Sequence, residues 1–410
     1  MDWEEILGRL QGLPQPTYVV GGAVRDRLLG RQKVPLDVDL VVPSEGLRWG
    51  SCLAREWQGG FVALDRQRQI ARVVLPDLTV DIATLVGGSL EADLRQRDFT
   101  CNALALEIHD GELRDPLGGA ADIAQGVLRM VHPENFTEDP LRVLRGYRHM
   151  AQLGFQLDPQ TRLAMQARAN LLARVAGERV RGELLGLLAE PGLAALQEAV
   201  QDGILEAWLP PLGHWDWARR SQTSQLGIPE VEVALADVRP VKWVLTLLIL
   251  LADLGIPDLD DILRRLHFSR LERQWCQKIA AALPLWQRFW QQQTVTNLDR
   301  HTLFASVGKA FPGLVWVAQG HPHCPPDFPW QEWLNQFRDP EDPLAHLVPL
   351  LTGQDVMEVL QIPSSPEVGK VLHGVIQAQV SGTLHSRSEA IAWLKTLKGR
   401  EGTEHLAKSE

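Results

Sequence analysis

The chain has 410 residues, of which 45% are hydrophobic and 22% are charged, a globular composition in a chain too long for one ordinary core. With 41 Lys and Arg against 51 Asp and Glu, the net charge of −10 argues against general nucleic-acid binding. The longest apolar run, near Val244, is far below the ~20 residues that span a bilayer, and the four cysteines lack disulfide or zinc spacing, so a cytoplasmic protein is expected.

Strand-like runs alternate with helical stretches in the first third of the chain. After Phe136 the strand pattern ends, and apolar residues recur at helical spacing. The sequence therefore predicts an α+β head over residues 1–135 and an all-α remainder. Proline-rich breaks divide that remainder into segments 136–190, 191–320 and 321–410. The predicted strands begin at Tyr18, Asp37, Arg72, Thr79 and Asn102.

The segment TYVVGGAVRDRLLG predicts a strand, a turn at Gly21 and Gly22, and a short helix that carries Arg25 and Asp26. Glycines let a ligand approach the backbone, and the free N–H groups of a helix start attract phosphate. Arg25 adds positive charge one turn into the helix. A plain tight turn also explains two glycines, so this segment alone does not decide between the two interpretations.

The next strand, LDVDLVV, places Asp37 and Asp39 two residues apart. The two carboxylates therefore lie on one face of the strand, with Cα atoms ~6–7 Å apart, where they repel each other. A divalent cation resolves that repulsion. Hard oxygen ligands suit Mg²⁺, which serves phosphoryl and nucleotidyl transfer. The alternative is an edge strand with two solvated acids.

Asp81, in TVDIAT, lies on another predicted strand, on the face opposite Val80 and Ile82. It is a candidate third carboxylate for the same catalytic centre. It is equally interpretable as an ordinary acid on the solvent side of the strand.

A further cluster lies in DLRQRDFTCNALAL, which begins at Asp93. Arg97 is a candidate for binding a triphosphate, while Asp98 and Asn102 are expected to hydrogen-bond the surrounding backbone. Because Asp93 and Arg97 are four residues apart, they are also expected to form an ordinary helical ion pair.

The segment FTEDPLRVLRGYR predicts a helix with Asp139 at its N-cap and Arg142, Arg145 and Arg148 on one flank. In the structural interpretation Asp139 caps the helix and pairs with Arg142. In the functional one, Asp139 accepts from the N4 amino group of cytosine while Arg142 donates to N3 and O2. Uracil, with a carbonyl at position 4, is then rejected. An arginine excess from Arg142 to Arg181 fits an RNA-facing surface or a solvated helix face.

These segments, in this order, resemble the class II tRNA nucleotidyltransferase and bacterial poly(A) polymerase family, within the DNA polymerase β-like superfamily. The resemblance implies a polymerase β-like head followed by a helical neck, body and tail that grip tRNA. The motifs that carry it are GGAVRD at Gly21, LDVDLVV at Leu36, DLRQRDFTCNALAL at Asp93, DPLGGAADI at Asp115 and EDPLRVLR at Glu138.

The resemblance also implies roles for individual residues. It makes Asp37 and Asp39 the ligands of Mg²⁺. Gly22, Arg25 and Arg97 are expected to contact the phosphates or the sugar of the incoming CTP or ATP. The base is expected to meet Asp139 and Arg142, with Arg145 and Arg148 completing the pocket. The implied partner is the acceptor arm and 3′ end of tRNA.

Two departures from the family pattern bear on the reaction. Gln96 stands where the family usually has the first of two arginines, so one phosphate contact is missing or supplied elsewhere. Only IATLVGGSLEA separates Asp81 from Asp93, whereas CCA-adding members carry a longer loop that re-sets the base template from CTP to ATP. The short connection predicts a CC-adding enzyme whose product a separate A-adding enzyme completes.

Several alternatives to CC addition remain. They are full CCA addition, A addition, poly(A) synthesis and a non-catalytic tRNA-binding role on the same fold. The intact pair Asp37 and Asp39 argues against the last of these.

Overall fold

A computed structural model describes residues 3–31, 36–189, 193–209, 241–251, 254–291, 295–321, 324–325 and 327–406. The chain forms two compact units, Met1–Trp217 with Arg265–His267, and Ala218–Arg264 with Phe268–Glu410. The predicted break at Pro191 and Gly192 lies outside the described residues.

The first unit is built on a seven-stranded mixed sheet with the strand order β3-β4-β5-β2-β1-β6-β7. Strands β2 and β5 are parallel, and the other neighbours are antiparallel. The strands are β1 (Tyr18–Val20), β2 (Leu36–Val42), β3 (Gly60–Asp65), β4 (Ile70–Val74), β5 (Leu78–Thr84), β6 (Ala105–Glu107) and β7 (Leu113–Arg114).

Alternation along the central strands decides which residues face the core. Val38 and Leu40 of β2 are buried, as are Val80 and Ile82 of β5. Helix α3 (Gly46–Glu56) packs against strands β3, β4 and β5 on that side of the sheet. The residues between them, including both aspartates of β2, therefore project from the opposite face.

Helices surround the sheet and continue the first unit. Helix α7 (Leu141–Leu153) is the centre of this part: it buries Leu144 and Tyr147 and packs against α9 (Gly177–Ala189) and α10 (Leu193–Gln201). A two-residue strand pair, β8 (Val127–Leu128) with β9 (Gln156–Leu157), joins the head to these helices. The remaining helices of this unit are α1 (Trp3–Leu10), α2 (Gly22–Leu28), α4 (Leu90–Arg95), α5 (Gly119–Gln125), α6 (Asn135–Glu138) and α8 (Pro159–Gln166).

The described part of the second unit is helical. Its core is aromatic: the Trp286 ring stacks on Trp330 at 5.5 Å, with 4° between the ring planes, and lies 5.1 Å from Trp333. The helices are α11 (Val241–Leu251), α12 (Ile256–Arg265, whose last residue belongs to the first unit), α13 (Arg270–Gln291), α14 (Asn297–Val307), α15 (Phe311–Gln319), α16 (Trp330–Arg338), α17 (Gly353–Leu360), α18 (Pro366–Val380) and α19 (Arg387–Leu406).

The structure confirms the predicted α+β head and helical remainder but corrects the predicted strands. The short strands β7 and β8 were not predicted. Strand β3 was not predicted, because GFVALD lacks a strict alternation and four of its six residues are exposed. Asn102 does not begin a strand: it ends a 3₁₀ turn (Thr100–Asn102), and β6 starts at Ala105. A short strand, β9, also follows Phe136. Among the described residues, no helix is long and apolar enough to cross a membrane.

Candidate active site

A cleft of about 530 Å³ opens beside β2 in the first unit. Its walls come from β2, from the turn and helix after β1, from the 3₁₀ turn near Asn102 and from helix α7. Six arginines and four aspartates make it strongly polar. The lining residues are Trp3, Gly21, Gly22, Ala23, Arg25, Asp26, Arg31, Leu36, Asp37, Asp39, Arg97, Asp98, Asn102, Arg142, Arg145, Arg148 and His149.

Asp37 and Asp39 both face this cleft from β2, as the alternation predicted. The protein walls around Asp39 desolvate its carboxylate and raise its pKa to about 6. Arg97 opposes that rise, while Asp37 and Asp81 reinforce it. Two carboxylates that repel each other beside an open cleft are a donor set that fits a divalent cation.

Further metal ligands are not assembled around this pair. In the described ranges, no group of three or more His, Cys, Asp or Glu side chains is arranged to hold a metal ion. Two carboxylates still suffice for Mg²⁺, which commonly keeps several waters and takes its other ligands from substrate phosphates.

Asp81 lies beside Asp39 in the parallel register of β2 and β5. Its carboxylate is already engaged: Arg72 of β4 donates from Nε to Oδ1 at 2.7 Å and from Nη2 to Oδ2 at 2.8 Å. Neither sequence interpretation of Asp81 included this partner. In this conformation Asp81 is neither a free third carboxylate nor a simple solvated acid.

The glycine turn brings backbone close to the carboxylates. Gly21 has φ +75°, which favours glycine, and a Cβ there would lie 2.9 Å from Arg97 Nη1 and 3.3 Å from Asp39 Oδ2. The absence of a side chain at Gly21 therefore leaves room for the arginine and the aspartate to approach each other at the cleft floor. Gly22 also lines the cleft.

Arg25 is buried in the floor of the cleft with its charge compensated. Its Nε and Nη2 donate to Asp26 Oδ1, and its Nη1 donates to Asn102 Oδ1 at 2.6 Å. Asn102 in turn donates to Asp98 Oδ1 at 3.0 Å, and Asp98 accepts from the backbone N–H of Phe99. Asp98 thus bonds backbone as expected, whereas the expectation for Asn102 was wrong, because its amide binds side chains.

Arg97 lines the cleft and also forms the helical ion pair, with Nη2 3.3 Å from Asp93 Oδ2. Its Nε is buried without a hydrogen-bond partner. Asp93 accepts a second hydrogen bond from the backbone N–H of Val86, in the connection after β5. The short connection is therefore tied, through Asp93, to the arginine nearest Asp39.

Arg142, Arg145 and Arg148 line the cleft from one flank of α7, as predicted. Glu183 of α9 binds two of them, accepting from Arg145 Nε at 3.1 Å and from Arg148 Nε at 2.5 Å. Arg142 makes one long hydrogen bond, to the Asn135 carbonyl at 3.4 Å, and forms no ion pair with any residue that the structure describes. Arg142 is therefore the arginine of this flank most available to a ligand.

Asp139 does not cap helix α7, contrary to the prediction. Helix α7 starts after Pro140, and no side chain caps it; the Asp139 carboxylate makes only a 3.4 Å contact with the Leu141 N–H. Its ion-pair partner is Arg179 of α9, at 3.0 Å, instead of Arg142. Asp139 is not among the lining residues of the cleft, and the lining residue nearest to it in the chain is Arg142.

His149 lines the cleft and is 7% exposed. Burial, with the charges of Arg148, Arg25 and Arg145 acting against Asp98, lowers its pKa to about 3, so the ring is neutral near pH 7. Asn102 Nδ2 lies 3.3 Å from His149 Nε2. Because Asn102 Oδ1 accepts from Arg25, its Nδ2 is the donor to His149 Nε2, and His149 Nδ1 is buried without a hydrogen-bond partner.

The arginine excess after Arg142 is less free than a charge count indicates. Arg162 pairs with Glu198 and Asp202, and Arg168 pairs with Glu134. Together with the Glu183 and Asp139 pairs, these contacts neutralise much of the stripe. Most arginines of this segment are therefore engaged in ion pairs, so the segment does not mainly present an open basic surface for RNA.

Sequence reasoning missed several residues that shape the site: Arg31, Arg72, His149, Arg179 and Glu183. For Arg72 a signal existed, because Arg72 and Asp81 occupy outward positions on neighbouring predicted strands. For Arg179 and Glu183 no local pattern exists, since their partners lie 35–40 residues earlier in the chain.

Three family models match successive parts of the chain. Residues 17–129 match the "Poly A polymerase head domain". Residues 154–215 match "Probable RNA and SrmB-binding site of polymerase A", and residues 240–394 match "tRNA nucleotidyltransferase domain 2 putative".

Individual proteins align over nearly the whole chain. A CC-adding tRNA nucleotidyltransferase of Synechocystis sp. is 38% identical, with 94% of each chain covered. An A-adding tRNA nucleotidyltransferase of Deinococcus radiodurans is 30% identical, with 94% of this chain and 96% of that protein covered. The fold is also that of a CCA-adding enzyme solved with CTP: TM-score 0.73, 23% identity, 96% of this chain and 95% of that chain covered.

Proposed function

This chain belongs to the tRNA nucleotidyltransferase family, and from that premise we propose that it adds two cytidines to the 3′ end of tRNA. The acceptor is tRNA that lacks its terminal CCA, and the donor is CTP. One observation carries the proposal: two aspartates of β2 face a cleft that is also lined by Arg142, the least engaged arginine of α7.

The cleft residues have distinct tasks in nucleotide binding. The Gly21–Gly22 turn admits the triphosphate close to the backbone, and Arg97, whose side chain lines the cleft, donates to its oxygens. Arg25 is buried and paired, so it acts mainly by fixing Asn102 and the floor of the cleft. The Glu183 clamp fixes Arg145 and Arg148, which makes them walls of the pocket.

Base selection is assigned to Asp139 and Arg142. Arg142 donates to N3 and O2 of cytosine, while Asp139 accepts from the N4 amino group. Arg179 Nη2 donates to both oxygens of Asp139, and a carboxylate has further lone pairs for the cytosine amino group. Uracil presents a carbonyl to Asp139 at position 4, so an acceptor meets an acceptor and binding is disfavoured.

Asp37 and Asp39 are proposed to hold Mg²⁺. When bound there, the cation supplies activation of the attacking hydroxyl and neutralisation of the departing pyrophosphate. The protein's own contribution is to fix the two carboxylates on a rigid strand and to orient the α-phosphate for in-line attack by the tRNA 3′-hydroxyl.

The short connection after β5 supports stopping at two cytidines. It turns tightly through Gly87 and Gly88, both with positive φ, and Ser89 then caps helix α4. Val86 is hydrogen-bonded to Asp93, the partner of Arg97. A connection this short and fixed has no flexible segment that could move Arg142 and Asp139 from a cytosine-binding to an adenine-binding arrangement.

The remainder of the chain is assigned to tRNA. We propose a head over residues 1–135, a neck over 136–190, a body over 191–320 and a tail over 321–410, with the last three gripping the acceptor arm. The product, ending in CC, requires a separate A-adding enzyme as a partner in the same compartment, which we place in the cytoplasm.

The test offers one labelled nucleotide at a time to purified protein with Mg²⁺. Two acceptors are compared, tRNA ending before CCA and tRNA ending in CC. We expect two CMP additions to the first acceptor and no AMP addition to the second. Efficient AMP addition to the CC-ending tRNA contradicts the assignment, as does equal use of CTP and UTP.

A further inference from the structure

Strand β2 separates two dissimilar surfaces on the face that carries Asp37 and Asp39. On the β1 side lies the arginine-lined cleft, and none of its lining residues comes from β3, β4 or β5. On the β5 side, the cross-strand register forms two rows. One row runs Asp39, Asp81, Arg72 and Val62, and the other runs Asp37, Thr79, Val74 and Gly60.

The β3–β4 end of these rows is open. Val62 is 47% exposed and Val74 is 43% exposed, and the Arg72 side chain between them is 41% exposed. Helix α3 covers the other face, where a Cβ on Gly50 would collide with Ala71. Val62, Arg72 and Val74, hereafter the β3–β4 platform, therefore form a small apolar surface with one cation at its centre.

Arg72 is held in a fixed orientation with donors to spare. Its Nε and Nη2 bind both oxygens of Asp81, and its Nη1 makes no hydrogen bond with a residue that the structure describes. A guanidinium held in this way presents the free Nη1 donors at little further cost in conformational entropy.

The geometry of the reaction indicates what binds to the β3–β4 platform. In-line transfer places the attacking and leaving oxygens on opposite sides of the α-phosphate. If the triphosphate lies in the cleft on the β1 side of β2, the attacking hydroxyl approaches from the β5 side. β4 lies two strands from β2, or ~10 Å, a distance that the terminal nucleotide of the acceptor spans.

We infer that the β3–β4 platform seats the terminal nucleotide of the RNA acceptor, with Arg72 donating to its phosphate and Val62 and Val74 supporting its sugar and base. The inference rests on the proposed function. An aliphatic support suits this position, because the terminal base of the acceptor changes between the first and second additions, and valines impose no hydrogen-bond pattern on it. Asp81 is then the positioning residue for Arg72.

The test measures KM for tRNA and KM for CTP separately in Arg72→Gln and Val62→Asp. We expect a rise of roughly tenfold or more in KM for tRNA with Arg72→Gln, a rise in the same direction with Val62→Asp, and a change of less than about twofold in KM for CTP. Arg72→Lys, which keeps the charge, is expected to restore part of the affinity.

Arg68→Gln is the matched control, because Arg68 lies in the turn of the same hairpin with its side chain 82% exposed. An equal rise in KM for tRNA in that control overturns the inference, since it indicates a diffuse field. So does an Arg72→Gln effect confined to kcat, which indicates that Arg72 acts only on Asp81. Should Arg72→Gln not fold, Val62→Asp decides alone. If wild-type protein adds no CMP to tRNA, the proposed function fails first.

Discussion

The two sides of strand β2 differ in how their charges are arranged. On the cleft side, six arginines line the walls, and most are fixed by a specific acid: Arg25 by Asp26, Arg97 by Asp93, and Arg145 and Arg148 by Glu183. On the β5 side, Arg72 is also fixed by an acid, Asp81, but it stands among exposed valines.

This difference matches two different recognition tasks. A cleft that must choose one base needs donors and acceptors at fixed positions, because selectivity depends on mismatched groups being left unpaired. A surface that must accept successive RNA ends needs an anchor for phosphate and little else. Single substitutions on the cleft side are therefore expected to change which nucleotide is added. Single substitutions on the β5 side are expected to change the affinity for RNA.

The largest effect is expected at the boundary between the two sides. Asp39→Ala removes one of the two proposed cation ligands and should lower CMP incorporation by roughly 10³-fold or more, while tRNA binding by filter retention stays within about twofold. Asp77→Ala, an exposed acid in the β4–β5 turn, is the control. Near-normal incorporation by Asp39→Ala refutes the catalytic assignment.

The next effect separates nucleotide binding from RNA binding. Arg97→Ala removes a charged donor to the triphosphate, and a hydrogen bond to a charged group contributes ~1.5–3 kcal/mol. We expect kcat/KM for CTP to fall roughly 10–100-fold, with KM for tRNA unchanged. Arg95→Ala changes the last residue of helix α4, two positions before Arg97, where the side chain is exposed and paired with Glu91; this control should be silent. A matching rise in KM for tRNA would mean that the two sides are not separate.

The cleft side also contains a buried histidine that makes the free energy of unfolding depend on pH. His149 stays neutral when folded, with a pKa of about 3, whereas the unfolded chain takes up a proton below its ordinary pKa of 6.5. The free energy of unfolding should therefore fall as the pH drops from about 6.5 towards 3, with a loss of about 2 kcal/mol at pH 5.

His149→Phe removes the titrating group, so its stability should fall less between pH 7 and pH 5. Urea unfolding of both proteins at the two pH values measures this difference. An identical loss in wild type and variant contradicts a buried neutral histidine.

The smallest effect concerns selectivity. Glu183→Gln weakens the clamp on Arg145 and Arg148 without changing the shape of the side chain, so the base pocket should loosen. We expect the ratio of kcat/KM for CTP to that for UTP to fall by about tenfold or less. Glu198→Gln, in an ion pair with Arg162 outside the cleft, should keep the wild-type ratio. Unchanged selectivity in Glu183→Gln would limit the clamp to a stabilising role.

Local patterns predicted the parts of this molecule that depend on near neighbours. The alternation in LDVDLVV and TVDIAT correctly oriented Asp37, Asp39 and Asp81, and the three-residue spacing placed the arginines of α7 on one flank. The strand prediction failed at β3, whose pairing with β4 stabilises a segment with weak intrinsic alternation.

The ion pairs that orient the site could not be read from local spacing. Asp139 was expected to pair with Arg142 three residues away, but it binds Arg179. Arg145 and Arg148 share Glu183 on a later helix, and Asp81 is bound across strands by Arg72. Such partners depend on tertiary packing, which a single sequence with several arginines and acids leaves ambiguous.

The most direct test of the central claim is the sequence of the product ends when the protein can choose freely. Wild-type protein, Mg²⁺ and tRNA ending before CCA are incubated with all four nucleoside triphosphates, and the 3′ ends are sequenced over time. We expect products that end in CC and are not extended further. Products that continue to CCA, contain uridine or grow into longer tails would contradict it.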